Sequence, residues 1–252
     1  FKTEKRKEIV MNKKRRNILL AFIVPALIFY LVFWISPVLM SFYYGLTNWR
    51  GMGDFDMVGM KNYANLIKQG TLFNSMGNTI KYTLFVVIWG NLQALTLAMI
   101  LNMKLRARGV FRTIFYIPAL FSTIVVAFLW SYVYAPHYGM ISEIFNLFGS
   151  SSAPNLLGTK GTSLFAAAFV ETWKTSGTMT IIYLAGLQNI SEEVIESAKI
   201  DGCNGWQAIR YVKVPMLANT ITVNVMLGLI GGFLPCLHIG AVHELDIQIP
   251  RL

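Results

Sequence analysis

Five long apolar segments constrain this chain more than any other feature of its sequence. A membrane-spanning helix needs roughly 20 apolar residues to cross about 30 Å of hydrocarbon. The chain of 252 residues is 55% hydrophobic and only 13% charged, which is too apolar for an ordinary soluble domain. We therefore predict an all-α membrane protein, a polytopic bundle of transmembrane helices, with spans at about 18–46, 79–101, 114–134, 164–187 and 216–237.

The net charge of +10 indicates orientation in a membrane rather than nucleic-acid binding. Basic residues cluster next to the apolar segments, and no polar surface interleaves them with aromatic residues. The N-terminal residues 1–17 are strongly basic, and so is the 102–113 connection. Because basic connections remain in the cytoplasm, we expect a multi-pass protein of the cell membrane with a cytoplasmic N-terminus and a cytoplasmic 188–215 loop.

The loop at 188–215 has its own predicted structure. Ser191 is placed as an N-cap, with Val194, Ile195 and Ala198 on one face of the helix that follows. A turn at Asp201-Gly202 ends this helix, and a second helix opens at Asn204 or Gly205 with Trp206, Ile209 and Val212 on one face. Pro215 suits the first turn of the next span. The three Glu of the first helix favour a protein partner over anionic lipid headgroups.

This loop resembles the EAA loop of permease subunits of ABC importers. The chain reads Glu196-Ser197-Ala198, three residues, Gly202, nine residues and then Val212-x-Val214-Pro215, where the family has E-A-A, G and I-x-L-P. "AKIDG", "FDMVGMKNYANLI" and "ETWKTSGTMTIIYLAGLQNIS" resemble the maltose- and glycerol-phosphate-type sugar permeases. The resemblance covers about residues 17–232.

The resemblance implies a subunit that couples ATP hydrolysis by a partner ATPase to alternating access for a sugar or oligosaccharide. It implies a second permease, a cytoplasmic ABC ATPase dimer carrying the Mg-ATP, an extracytoplasmic solute-binding protein and membrane lipid as partners. No cofactor, metal or catalytic residue is expected in this chain itself. The residues that would couple to the ATPase are Glu196, Ser197, Ala198, Asp201, Gly202 and Pro215.

The fourth span carries the candidate substrate path. Glu171 and Lys174 lie at a depth where an ionisable side chain faces a cavity or a partner, or where the two neutralise each other across one helix turn. The family resemblance assigns this stretch to the translocation path. It implies solute contacts for Glu171, Lys174, Thr175 and Thr178, a stacking platform at Trp173 and a weaker contact at Asn224.

The tail 238–252 departs from the family pattern, which continues into a sixth span. We expect no span there, as in a shortened subunit or after a change of reading frame, and a truncated, non-functional permease is one alternative. An ion-coupled secondary transporter is another, although the sequence shows no repeated halves. A membrane enzyme is disfavoured because the sequence holds no HExxH or comparable constellation and no nucleotide-binding motif.

Overall fold

The chain was analysed as a computed structural model, which describes residues 13–103, 106–149, 154–159 and 161–245. Side chains are described from residue 21 to residue 233 of these ranges. The described residues are helical apart from turns, loops and one isolated β-bridge between Thr47 and Met57. This confirms the predicted all-α bundle. Clustering of the backbone separates two units, residues 1–73 and 74–252.

Among the described residues of the first unit lie the helices α1 (Lys13–Tyr30), α2 (Ser36–Gly45) and α3 (Lys61–Lys68). A π-helical turn, Leu31–Ile35, joins α1 to α2, so the first predicted span is one continuous helical rod. The turn precedes Pro37, which has no N–H and whose ring crowds the carbonyl of Phe33 one turn earlier. A wider turn relieves that crowding, and the Ser36 N–H bonds the Leu31 carbonyl in the π pattern.

The second unit holds the remaining helices. In chain order they are α4 (Thr71–Asn102), α5 (Arg108–Leu120), α6 (Thr123–Val133), α7 (Met140–Leu147), α8 (Ser163–Gln188), α9 (Glu192–Ile200), α10 (Gly205–Gln207), a π-helical turn (Ala208–Lys213), α11 (Val214–Met216) and α12 (Ala218–Leu245). The residues at 1–12, where most of the predicted basic N-terminus falls, lie outside the described part of the chain.

Small side chains bring α4, α8 and α12 together. The buried residues of α4 recur every three or four positions and include Gly90, Ala94 and Ala98. A Cβ at Gly90 would lie 3.6 Å from Thr172 and Met179 of α8, and one at Gly228 of α12 would lie 3.2 Å from Val87 of α4. In lipid, the hydrophobic effect does not drive helices together, because the acyl chains are as apolar as the helix surfaces. Helices therefore associate by close packing of this kind.

Of the five predicted spans, the structure keeps two as continuous apolar helices within the described residues, Ala21–Gly45 and Thr71–Asn102. Two further regions qualify only if a bent helix pair is one span, which gives up to four. The fourth predicted span is the continuous 26-residue helix α8. α8 is less apolar than these two helices, since its middle carries Glu171, Lys174 and several hydroxyl side chains.

The predicted third span, 114–134, is a bent pair of helices in the structure. α5 and α6 meet at 100° because Phe121 is extended, with ψ of 142°. Two local signals cause the break: Pro118 cannot continue the hydrogen-bond ladder, and Ser122 caps α6 by accepting a bond from the Val125 N–H at 3.3 Å.

The predicted fifth span also needs correction at both ends. α11 and α12 meet at 70° around Leu217, so Pro215 lies just before a bend and not in the first turn of the long helix. α12 then runs 28 residues to Leu245, so residues 238–245 of the expected tail continue the helix. Residues 246–252 lie outside the described part of the chain.

Candidate functional site

The loop between α8 and α12 is built from local capping motifs. Ser191 occupies the N-cap position of α9, although its side chain makes no capping bond, and Glu192 and Glu193 lie in the first turn. The C-terminus forms a Schellman motif, in which the Cys203 N–H bonds the Ala198 carbonyl at 3.0 Å and the Gly202 N–H bonds the Lys199 carbonyl at 3.1 Å. The predicted turn at Asp201-Gly202 is present, and Gly202 adopts a left-handed conformation there with φ of +82°.

A capping box starts the second helix of this loop. The Asn204 side chain accepts a bond from the Gln207 N–H at 2.9 Å, and the Asn204 N–H donates to the Gln207 side chain at 2.8 Å. The chain then widens into the π-helical turn at 208–213 before Pro215. That widening changes the side-chain spacing, so Trp206 is 70% exposed while Ile209 and Val212 are half-buried.

One side of α9 is seated on the transmembrane helices. Ile195 packs against the buried cluster at the ends of α4, α8 and α12, which includes Leu187, Ile190 and Leu217. Ala198 is also buried, whereas Val194 remains partly exposed. Ala198 therefore contacts its own chain in this structure.

The outward side of the loop carries the remaining predicted coupling residues. Glu196, Ser197, Asp201 and Pro215 are exposed. The Ser197 hydroxyl donates to the Glu193 carbonyl at 2.9 Å, so it is satisfied within its own helix. Large apolar side chains are exposed beside them: Ile200 at 85%, Trp206 at 70% and Tyr211 at 65%.

The predicted path residues of α8 divide between two faces. Glu171, Thr175 and Thr178 recur at spacings of four and three, which places them on one side of the helix. With Lys174 they form a polar stripe that is half-buried or exposed. Trp173 lies about 200° around the helix from Glu171, at roughly 100° per residue. It is therefore not part of this stripe.

Glu171 and Lys174 form no direct salt bridge in the described part of the chain. The Lys174 ammonium instead donates to the Thr123 hydroxyl at 2.7 Å. Thr123 is the first residue of α6, directly after the break at Phe121. Sequence reasoning missed this contact, which joins the two elements across 51 positions.

Trp173 belongs to an aromatic cluster on another side of α8. Its ring packs edge-to-face with that of Trp130 of α6, the ring centroids being 5.4 Å apart. Trp130 also contacts Phe169 and Tyr134. The Tyr134 hydroxyl donates to the Ala166 carbonyl of α8 at 3.3 Å. These contacts make Trp173 a packing residue between α6 and α8.

Asn224 is enclosed between helices. It is 0% exposed, and its amide donates to the Met179 carbonyl of α8 at 3.3 Å. Nearby, the Tyr183 hydroxyl donates to Asn91 of α4 at 2.6 Å. Asn224 thus joins α12 to α8 and has no surface for a solute in this chain. Among the described residues, no group of three His, Cys, Asp or Glu could hold a metal ion.

Comparisons with known proteins identify the family of this chain. The family described as binding-protein-dependent transport system inner membrane component matches residues 90–242, which is ten residues past the Gly232 where the sequence resemblance was expected to stop. The chain is 30% identical over 212 residues to the probable starch degradation products transport system permease protein AmyD of Thermoanaerobacterium thermosulfurigenes. That match covers 84% of this chain and 72% of the relative.

A second relative and a solved structure extend the comparison. The trehalose/maltose transport system permease protein MalF of Thermococcus litoralis is 32% identical over 206 residues, covering 81% of this chain and 70% of the relative. A bacterial ABC transporter involved in import of the acidic polysaccharide alginate shares the fold, with a TM-score of 0.71 at 24% identity over 85% of this chain and 73% of that one. The chain therefore belongs to the inner membrane components of binding-protein-dependent transport systems, the membrane permeases of ABC importers.

Proposed function

We propose that this permease carries a sugar or oligosaccharide and that α9 is the contact through which a cytoplasmic ATPase drives it. The observation that carries the proposal is that one side of α9 is packed against the protein and the other side is exposed. Its inner side, at Ile195 and Ala198, is packed on the ends of the transmembrane helices. On its outer side Glu196 and Ile200 are exposed, toward the cytoplasm in this proposal.

A short helix fixed in this way transmits a displacement without absorbing it. The Schellman motif and the capping box satisfy the backbone at both sides of the turn at Gly202, so the loop has a defined shape without a partner. Closure of an ATPase dimer against α9 would move α8 and α12 with it, since both pack in the cluster beneath Ile195. The protein then alternates between two states biased by nucleotide on one side and by the loaded binding protein on the other.

The polar stripe of α8 lines one side of the proposed solute path. Glu171, Thr175 and Thr178 offer hydroxyl and carboxylate groups on a face that the other described helices leave half-buried or exposed. Polar groups at membrane depth are costly unless they face a cavity or a partner. A second, different permease subunit facing this stripe would complete the path, and the stripe hydroxyls would bond a sugar's own hydroxyls.

The names of the relatives support the proposed substrate class. Those with 30% identity or more include permeases named for starch degradation products, multiple sugars, and trehalose or maltose. The proposed assembly is two permeases, an ATPase dimer that binds Mg-ATP, and an extracytoplasmic binding protein. The N-terminus and the α9 loop are on the cytoplasmic side in this proposal, as the distribution of basic residues indicates.

Exposed Ile200 gives the sharpest test of the ATPase contact. In membranes from cells producing the whole transporter, Ile200→Asp should reduce ATPase recovered with the affinity-tagged permease by about tenfold or more, because burial of an Ile side chain contributes about 1.5–3 kcal/mol. The matched control is Leu147→Asp in α7, which changes an equally exposed apolar residue (84%). It lies in the connection between the third and fourth predicted spans, which alternation of the spans places on the side of the membrane opposite the α9 loop.

Leu147→Asp should leave ATPase recovery unchanged. Undiminished ATPase recovery with Ile200→Asp, at equal permease levels, would contradict the assignment of α9 as the docking element. Equal losses in both variants would indicate a general defect in folding or insertion.

A further inference from the structure

Two arginines meet at the ends of three helices. Arg108 opens α5, Arg112 follows one turn later, and both lie beside Gln188, the last residue of α8. When the side-chain amide of Gln188 is oriented with its oxygen toward the arginines, that oxygen accepts a hydrogen bond from the Nη2 of each arginine, both at 2.9 Å. Arg108 also donates to the side chain of Asn102, the last residue of α4, at 3.3 Å.

This pair has no acidic counter-ion in the described part of the chain. No Asp or Glu forms an ion pair with either guanidinium, and the Nε atoms of both arginines are buried without a hydrogen-bond partner. The two side chains hold ten N–H donors between them at five per arginine. Among the described residues, the side-chain oxygens of Gln188 and Asn102 accept hydrogen bonds from these donors.

The helix ends offset only part of the charge. The C-termini of α4 and α8 each supply about half a negative charge, and the N-terminus of α5 adds about half a positive one. Against two guanidinium charges, this leaves a net positive charge of more than one unit at a partly desolvated position. Both arginines are half-buried, their like charges repel each other, and the buried Nε donor of each has no acceptor, so the arrangement favours a bound anion.

The surroundings indicate which anion. Phe111 of α5 is 43% exposed and lies about 60° around the helix from Arg108, at roughly 100° per residue. Ile114 and Val110, 52% and 61% exposed, continue this apolar surface toward the opposite face of α5. Gln188 is exposed, which leaves the pair open on that side. A ligand with an anionic head and an apolar tail fits both features, and basic pockets between helices at the cytoplasmic side are typical phospholipid headgroup sites.

We propose that Arg108 and Arg112 bind the phosphate of an anionic phospholipid of the cytoplasmic leaflet, with its acyl chains along the outer face of α5. The lipid would seal the junction of α4, α5 and α8 just above the coupling loop. The proposal uses the orientation given under the proposed function, but the binding itself is measured without transport or ATP hydrolysis. Failure of one is therefore distinguishable from failure of the other.

The test is a titration of the detergent-purified permease, with the subunits that copurify, by native mass spectrometry. Short-chain phosphatidylglycerol is the probe, phosphatidylcholine with the same acyl chains is the neutral comparison, and inorganic phosphate is the free anion. Arg112→Gln should weaken phosphatidylglycerol binding about fivefold, and Arg108→Gln with Arg112→Gln about 25-fold, since one basic residue near anionic lipid contributes about this much.

Two controls keep the result interpretable. Arg106→Gln changes an exposed arginine of the same loop and should have no more than a small effect. Arg112→Lys keeps the charge and should retain most of the binding even if Arg112→Gln folds poorly. Phosphatidylcholine binding should be the same in all variants.

Unchanged phosphatidylglycerol binding in the double variant, or an equal loss with Arg106→Gln, would overturn the proposal. So would a loss of ATPase recovery without any loss of lipid binding, because the arginines would then be a protein contact. Competition by millimolar inorganic phosphate that depends on both arginines would support a phosphate site and assign it to the free anion.

Discussion

Gly177 in α8 and Gly202 after α9 are both glycines that the fold requires, for opposite reasons. Gly177 has an ordinary helical backbone, but a Cβ there would strike the Phe115 carbonyl oxygen and would lie 2.8 Å from the Tyr116 Cα of α5. Gly202 has φ of +82°, yet nothing lies within 4 Å of where its Cβ would be. The first is required by a tertiary contact and the second by a local conformation.

The difference separates two kinds of structure in one chain. Around Gly177 the backbones of α5 and α8 touch, and neither can yield to a methyl group. Around Gly202 the fold depends on hydrogen bonds among residues 197–207, and the surrounding space is open. We therefore expect substitutions in the α5–α8 contact to unfold or disassemble the helices, and substitutions in the loop to affect coupling while the bundle persists.

The largest expected effect comes from Gly177→Ala. The added methyl meets backbone atoms, so the loss of stability should lie at the upper end of the overpacking range, about 3 kcal/mol. Thermal unfolding of the detergent-solubilised protein measures it. Gly231→Ala is the matched control, because that helical glycine of α12 has nothing within 4 Å of its Cβ position. If Gly177→Ala were as stable as Gly231→Ala, the close crossing of α5 and α8 would be wrong.

Trp173→Ala and Glu171→Ala compare the two faces of α8. Trp173→Ala removes the ring that packs on Trp130 and should lower stability by about 2 kcal/mol, half the range for a fully buried aromatic. Glu171→Ala removes a costly charge from membrane depth, so assembly should persist while sugar uptake falls. Thermal unfolding and uptake are measured on both variants. Loss of assembly with Glu171→Ala would show that this carboxylate is structural.

Gly202→Val should weaken ATPase recovery by about five- to 30-fold, since a left-handed conformation costs a residue with a Cβ about 1–2 kcal/mol. Membrane insertion and thermal unfolding of the bundle should remain near wild type. Gly202→Asn is the matched control, because Asn tolerates the left-handed region much better. The comparison would fail if Val and Asn reduced recovery equally, because the backbone conformation would then not be the cause.

The smallest effect is expected at Asn204. Asn204→Ala removes the capping box of the second loop helix, which costs about 1 kcal/mol of local stability. Hydrogen exchange of the amides at 204–208 should become about fivefold faster, with α8 unchanged. Asn204→Ser restores an N-cap acceptor and should restore most of the protection. Unchanged exchange in Asn204→Ala would show that packing, not capping, holds this turn.

The site was predicted unevenly along the chain. The turn at Gly202 and the opening at Asn204 followed from residue types within a few positions of each other. The separation of Trp173 from Glu171 was also present in the helical spacing, and the break at Phe121 was signalled by Pro118 and Ser122, but an apolar run long enough for a span hid it. The Arg108–Arg112 pair had a signal in its spacing of four, although its partner Gln188 lies 76 and 80 positions away.

The sequence by itself determined the membrane class, the approximate spans, the turn at Gly202 and the helix start at Asn204. These depend on transfer of apolar residues into lipid and on backbone hydrogen bonds that close within one or two turns. The tertiary structure decided that α8 packs on α5 through Gly177, that Lys174 bonds Thr123 and that Asn224 is enclosed. In lipid, helices associate by shape and polar contact because apolar residues alone do not distinguish a neighbouring helix from the solvent. No hydrophobic pattern within one helix could therefore predict which face meets which neighbour.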